Sequence, residues 1–140
     1  MSADFLDTNV LVYLVDEADA AKHAVARGLV QDALSNGSGI ISFQVVQETL
    51  NVLTRKLKVI ARADDAEFFM QQTLVPLWRV QPSPQLYAAA MEIQQRQGFG
   101  FYDSLIVAAA QEAGCRRLLS EDLQHGQRIG KLRVENPFHA

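Results

Sequence analysis

An acid interrupts an apolar run almost at the start of the chain, and that interruption constrains the fold more than any other feature. Phe5-Leu6 is followed by Asp7-Thr8-Asn9, and the apolar run resumes as Val10-Leu11-Val12-Tyr13-Leu14. The pattern predicts a buried strand ending at Asp7, a tight turn and a buried helix. In open α/β sheets ligands sit just beyond the carboxyl ends of the strands, so Asp7 would stand where such a fold does its chemistry. Asp, Thr and Asn are also good N-cap residues. On this stretch alone, capping is the stronger reading.

The rest of the chain repeats the strand-then-helix pattern. Residues 19–34 carry Ala21, Ala24, Val25, Leu29 and Ala33 or Leu34 at helical spacing, and Asn36-Gly37 ends that helix. Gly39-Ile40-Ile41-Ser42 predicts a second buried strand. Residues 43–57 follow as a helix with the stripe Val46, Leu50, Leu53 and Leu57, and residues 64–74 as another, capped by Asp64. Leu77-Trp78-Arg79-Val80, stopped by Pro82 and Pro84, predicts a third strand, and residues 85–97 a helix ending at Gly98. The turn Gly98-Phe99-Gly100-Phe101-Tyr102-Asp103 leads into an apolar helix over 104–113. Two more strands are expected at 117–120 and 131–134. Short apolar strands alternating with helices predict an α/β fold, a three-layer α/β/α arrangement with a central parallel sheet of about five strands. At 140 residues, with no repeat or linker, residues 1–140 are expected to form one domain.

Composition excludes several classes. No apolar run approaches the roughly 18–20 residues of a membrane span. The start Met1-Ser2-Ala3-Asp4 carries an acid where a signal peptide would carry basic residues. A single cysteine, Cys115, rules out an internal disulfide and a cysteine metal cluster. The expectation is a cytoplasmic protein. A net charge of −3 and a pI near 5.5 argue against a general polyanion-binding surface. Two bound divalent cations would bring the net charge to about +1, concentrated at one site, so a metal-dependent nuclease is not excluded. Arg55, Lys56, Lys58 and Arg62 cluster after a predicted helix. Cations suit a helix C-terminus, which is the stronger reading; a phosphate-contacting patch is the sharper one.

Four acids fall where the predicted fold would gather them. Asp7 follows the first strand and Asp122 the fourth, and parallel strands end on one side. Asp103 lies where a Gly-rich turn enters a buried helix, and Glu48 in the first turns of the helix after the second strand. Each has an ordinary explanation: Asp103 as an N-cap, Glu48 as a solvated helix residue, Asp122 as part of a polar turn beside an equally exposed Glu121. Together they have fewer, because uncompensated carboxylates repel and raise each other's pKa, whereas hard divalent cations favour oxygen ligands. Two such ions can activate a water and stabilise the leaving oxygen of a phosphodiester. His23, His125 and His139 are scattered, without a ligand partner at helical spacing, and are read as surface or packing residues.

Asp7-Thr8-Asn9, the pair Gln47-Glu48, Phe101-Tyr102-Asp103-Ser104 and Leu118-Leu119-Ser120-Glu121-Asp122-Leu123, in that order, together resemble the PIN-domain family. The chain is most similar to the VapC-type toxins of bacterial toxin–antitoxin modules, from Ala3 to about Phe138. The resemblance implies a Mg2+- or Mn2+-dependent endoribonuclease whose catalytic and metal-holding acids are Asp7, Glu48, Asp103 and Asp122, supported by Thr8, Asn9 and Ser120. It implies RNA products with 5′-phosphate and 3′-hydroxyl ends, a homodimer, and a small antitoxin that wraps a groove and reaches toward the acids. The helices over 43–57 and 64–74, with Phe68 and Phe69, are candidates for that groove; burial of both rings at the edge of one core is the equal alternative. A DNA nuclease of the same fold and a catalytically silent protein-binding domain are the competing readings. A receiver-like signalling module is disfavoured, because no predicted strand ends in the Lys it would need.

Overall fold

The computed structural model describes residues 3–56 and 63–139. The elements run in the order β1 (Asp4–Leu6), α1 (Thr8–Val15), α2 (Ala20–Asn36), β2 (Gly39–Ser42), α3 (Phe43–Asn51), α4 (Ala63–Phe69), α5 (Val75–Leu77), β3 (Trp78–Val80), α6 (Pro84–Gln97), α7 (Phe101–Glu112), β4 (Arg117–Leu119), β5 (Arg128–Ile129) and β6 (Leu132–Glu135). Wider π-type turns over Val52–Lys56 and Met70–Leu74 prolong α3 and α4.

One six-stranded sheet runs β3-β2-β1-β4-β6-β5. Five strands are parallel and β5 pairs antiparallel with β6. The expected parallel sheet of about five strands is thus present, with a two-residue antiparallel strand added at one edge. β1 lies in the middle, with Phe5 in register with Ile40 on one side and Leu118 on the other. Successive strand residues point to opposite faces, yet Phe5 and Leu6, Ile40 and Ile41, and Leu118 and Leu119 are all buried. The sheet is therefore covered on both faces, which makes the fold three layers.

Local chemistry sets the helix ends. Asp19 caps α2, its carboxylate accepting from the Lys22 N–H (3.1 Å). The Ser83 hydroxyl accepts from the Leu86 N–H (3.0 Å) with Pro84 at the first helical position, and Gly98, at φ 77°, ends α6. α7 begins at Phe101 rather than at Ser104, so Asp103 sits in its first turn and Gly100 holds the cap position. Leu77 belongs to α5 rather than to β3. Of the stripe expected on α3 and its extension, Val46 and Leu53 are buried, Leu50 is half-buried, and Leu57 lies outside the described residues.

One feature binds a helix to the sheet, and another ties strands within it. A Cβ on Gly39 would lie 2.5 Å from the Ala33 Cβ, so β2 and α2 touch where only glycine fits. At the amino ends of β1 and β4, the Arg117 guanidinium grips Asp4 through two bonds (2.9 and 2.5 Å), and it reaches along the sheet to Glu135, the last residue of β6, through a third (2.6 Å). That joins β1, β4 and β6 and balances the charge of this edge. Among the described residues, no helix is long and apolar enough to cross a membrane.

Candidate active site

The carboxyl edge of the sheet is built differently. The Asp7 N–H donates to the Leu119 carbonyl (3.0 Å), continuing the β1–β4 ladder by one residue. The Asp7 side chain is only 5% exposed. Its Oδ1 accepts from the Thr8 N–H (2.7 Å) and its Oδ2 from the Ser120 hydroxyl (2.6 Å). The fully buried Ser120 Oγ in turn accepts from the Asp122 N–H (3.2 Å), so one hydroxyl ties the ends of β1 and β4 together. Capping and site membership are not alternatives for Asp7: it caps α1 and faces the cleft.

A cleft of about 360 Å3 opens over this edge. All four acids expected from the sequence line it: Asp7, Glu48, Asp103 and Asp122, with Thr8 and Asn9. Thr8 donates its hydroxyl to Glu48 Oε1 (3.0 Å), and Asn9 its Nδ2–H to Asp122 Oδ2 (3.3 Å). Ser120 stands behind Asp7. Asp122 and Glu121 are not equivalent neighbours: Glu121 is held by the Tyr13 hydroxyl (2.5 Å) and the Lys22 ammonium (2.8 Å), leaving Asp122 to the cleft. Outside the cleft, His125 and His139 stack on each other, centroids 4.4 Å apart.

The sequence reading missed Asp16, Tyr13, Gln44 and Tyr102, which also line the cleft. A signal for Asp16 and Tyr13 was present, because Asn9, Val12, Tyr13 and Asp16 recur at i, i+3, i+4 and i+7, one stripe of α1 and its cap. A larger cavity, about 760 Å3, lies at the opposite, amino edge among Asp4, Gly39, Arg116 and Arg117. Size does not decide between them. The charge-balanced amino edge lacks the gathered acids.

Five carboxylates (Asp7, Asp16, Glu48, Asp103 and Asp122) line the cleft, with no Lys, Arg or His among the described lining residues. Burial pushes the Asp7 carboxyl up to about 7, against its hydrogen bonds from Ser120 and Thr8, and the charges of Asp122 and Glu48 push the same way as burial. Asp103 is also raised, by burial and then by Asp122.

The donor set fits a hard divalent cation: several carboxylate oxygens, and buried amide oxygens of Asn9 and Gln44 that have no partner. Among the described residues, no three His, Cys, Asp or Glu side chains are placed so as to hold a metal ion between them. Mg2+ does not require three, because it is commonly held by one or two carboxylates and completes its shell with waters and substrate oxygens.

The sequence profile of the PIN domain matches residues 5–130. The chain belongs to the PIN family. PIN proteins are nucleases and generally use divalent metal ions. Solved structures share the PIN fold at low sequence identity. VapC20 from Mycobacterium tuberculosis, described as a sarcin-ricin loop cleaving toxin, is 22% identical over 86% of this chain and 90% of its own, with a TM-score of 0.64. VapBC2 from Rickettsia felis, solved bound to a DNA fragment from its promoter, is 19% identical over 96% and 98%, with a TM-score of 0.66. FitAcB from Neisseria gonorrhoeae is 19% identical over 98% and 99%, with a TM-score of 0.63. A comparison with curated protein sequences finds no match.

Ser120 gives a test of the PIN site that leaves every carboxylate in place. Ser120→Ala removes the donor to Asp7 and the acceptor for the Asp122 N–H. Loss of such a supporting bond typically costs about 10- to 100-fold in metal affinity or activity. The expected result is a rise of that order in the divalent-metal concentration for half-maximal nuclease activity. An unchanged metal titration would remove Ser120 from the supporting set.

Proposed function

We propose that this chain is a VapC-type toxin: a metal-dependent endoribonuclease with Asp7, Glu48, Asp103 and Asp122 as its metal-holding and catalytic quartet, and a small antitoxin as its partner. The observation that carries the reading is the cleft itself, lined at the carboxyl edge of a PIN fold by five carboxylates and, among the described residues, by no cation. A bound Mg2+ or Mn2+ supplies Lewis acidity that activates water and offsets phosphodiester charge. Asp7 is the fixed member of the quartet, held at both oxygens. Thr8 orients Glu48, and Asn9 orients Asp122. Val12, Val52 and Ile106 form apolar walls that limit bulk water. Water adds to phosphorus, the P–O3′ bond breaks, and the ends are a 5′-phosphate and a 3′-hydroxyl.

An exposed aromatic supports the partner. On α4, Phe68 is 67% exposed while Phe69 packs against the core. Large exposed apolar groups mark interaction surfaces when they are grouped, and Val75, at 41% exposure, follows on the next short helix. The antitoxin groove is assigned to this face, and the homodimer remains part of the same reading. Within the basic cluster, Lys58 and Arg62 lie outside the described residues.

Expression of the chain alone from a tight promoter, with transcriptome-wide mapping of 5′-phosphate RNA ends, tests the activity. New ends at discrete sites, absent with Asp7→Asn, are the expected result. Purified protein that cut DNA and spared RNA in a side-by-side digestion would sink the ribonuclease assignment.

A further inference from the structure

The acid cleft does not end at Glu48. A hollow of about 290 Å3 continues from it, lined by Gln44, Gln47, Glu48, Asn51 and Tyr102. Gln44, Glu48 and Tyr102 line both spaces. Four of the five residues come from α3 at i, i+3, i+4 and i+7, which sets them in one stripe along the helix. The fifth, Tyr102, belongs to the first turn of α7 and is 69% exposed.

Tyr102 is exposed but held. The nearly buried Gln44 donates its Nε2–H to the Tyr102 carbonyl (3.1 Å). The Tyr102 ring meets Phe101 edge-on (5.6 Å), Phe101 stacks on Tyr87 (6.4 Å), and Tyr87 meets the buried Phe43 edge-on (6.4 Å). Tyr102 is thus the open end of a four-ring ladder rooted in the core. Gln47 and Asn51 are exposed, with no side-chain hydrogen bond among the described residues. The buried Gln44 Oε1 has no partner either.

These parts suit one chemistry. An aromatic ring offers a stacking face to an unpaired base, and carboxamides offer both donors and an acceptor to a base edge. Among the described residues the hollow is lined by carboxamides, a carboxylate and a ring rather than by a cation, a lining that suits a base better than a phosphate. Because it shares Glu48 with the acids, a base seated there would belong to a nucleotide beside the phosphate being cut. We propose that this hollow is a nucleobase subsite, in which an unpaired base flanking the scissile phosphate stacks on Tyr102 and is read by Gln47 and Asn51. The proposal rests on the ribonuclease reading above and adds that the cut strand must be single-stranded at that nucleotide, since a base inside a helix has no free face to offer.

The test uses a short unstructured RNA carrying 2-aminopurine beside the mapped cleavage position, with full-length protein and Mg2+. For the wild type and Tyr102→Phe, binding is expected to quench the 2-aminopurine signal, with KM values within about twofold of each other. Tyr102→Ala, shown to be folded by circular dichroism, is expected to lose the quench and raise KM about tenfold, with kcat changed much less. Gln47→Ala and Asn51→Ala are expected to relax base preference at that nucleotide only. If Tyr102→Ala quenches and cleaves as the wild type does, the subsite is overturned and the ribonuclease reading stands. The subsite is also overturned if Tyr102→Ala alters only the hold of a co-expressed small protein. If folded wild-type protein neither binds nor cleaves RNA, the ribonuclease reading fails and takes the subsite with it.

Discussion

Asp7→Asn is expected to give a protein that is inert and yet more stable than the wild type in metal-free buffer. Loss of activity follows from removing the member of the quartet that is held at both oxygens, and a decrease in cleavage of about 100- to 1000-fold is expected, the scale of losing a principal electrostatic element. The gain in stability follows from burial. The folded-state carboxyl titrates near 7 against an ordinary value of 3.8, so the folded state holds the Asp7 proton more tightly than the unfolded state does. The stability this confers is complete below about pH 4 and lost as pH rises through 7. At about 1.4 kcal/mol per pK unit, the wild type forfeits up to about 4 kcal/mol by pH 8. Asparagine carries no charge there and keeps an acceptor for the Thr8 N–H. The melting temperature of Asp7→Asn should equal that of the wild type near pH 4 and exceed it by up to roughly 15 °C at pH 8 in chelator. Adding Mg2+ should narrow that gap by stabilising the wild type alone. Equal melting temperatures across this pH range would show that Asp7 is not under strain.

Gly39→Ala is expected to be the most damaging single-methyl change in the described part of the sheet. The new Cβ would fall 2.5 Å from the Ala33 Cβ and 3.3 Å from Leu6 Cδ1. The Ala33 Cβ is fixed to the backbone of a buried helix and cannot swing aside, so the 2.5 Å approach, rather than the 3.3 Å contact with the Leu6 side-chain tip, sets the cost. Overpacking of this kind typically costs about 1–3 kcal/mol, or a melting temperature lowered by roughly 5–10 °C. Ala33→Gly should rescue much of the loss, although glycine inside a helix costs about 1 kcal/mol of its own. A thermal double-mutant cycle reads the coupling directly. Simple additivity of the two substitutions would show that the β2–α2 contact is not where the strain arises.

The legible parts of this chain were those in which one residue carries both a periodicity and a position. Asp7 ends an apolar run and Asp122 follows another, and parallel strands send both to one edge; the Asn9–Asp122 hydrogen bond joins the two turns. Glu48 and Asp103 were harder, since a helix can turn either toward or away from the sheet edge, yet both line the same cleft. Asp16 was missed because α1 reads as an apolar run whose polar stripe is spread over eight positions. β5 was missed because two residues, Arg128 and Ile129, are too few to show alternation; only their pairing with Arg133 and Leu132 makes them a strand. The start of α7 was misread by three residues because Gly98 and Gly100 signal a turn that ends sooner than the sequence suggests. That error concealed Tyr102, which looked like part of a loop and is instead fixed on a helix.

Both edges of the sheet are short, and this bears on how copies of the chain can meet. One edge is the two-residue β5 and the other the three-residue β3, where the Trp78 indole N–H already occupies the Val80 carbonyl (3.1 Å). Neither presents a long row of free backbone groups for a strand from another molecule. Sheet-to-sheet growth is therefore closed off at both ends, protecting a chain rich in buried β-branched residues from fibril-like stacking. Association between copies is left to surfaces other than the sheet edges, so any self-association should respond to changes in helix side chains and not to changes in the edge strands.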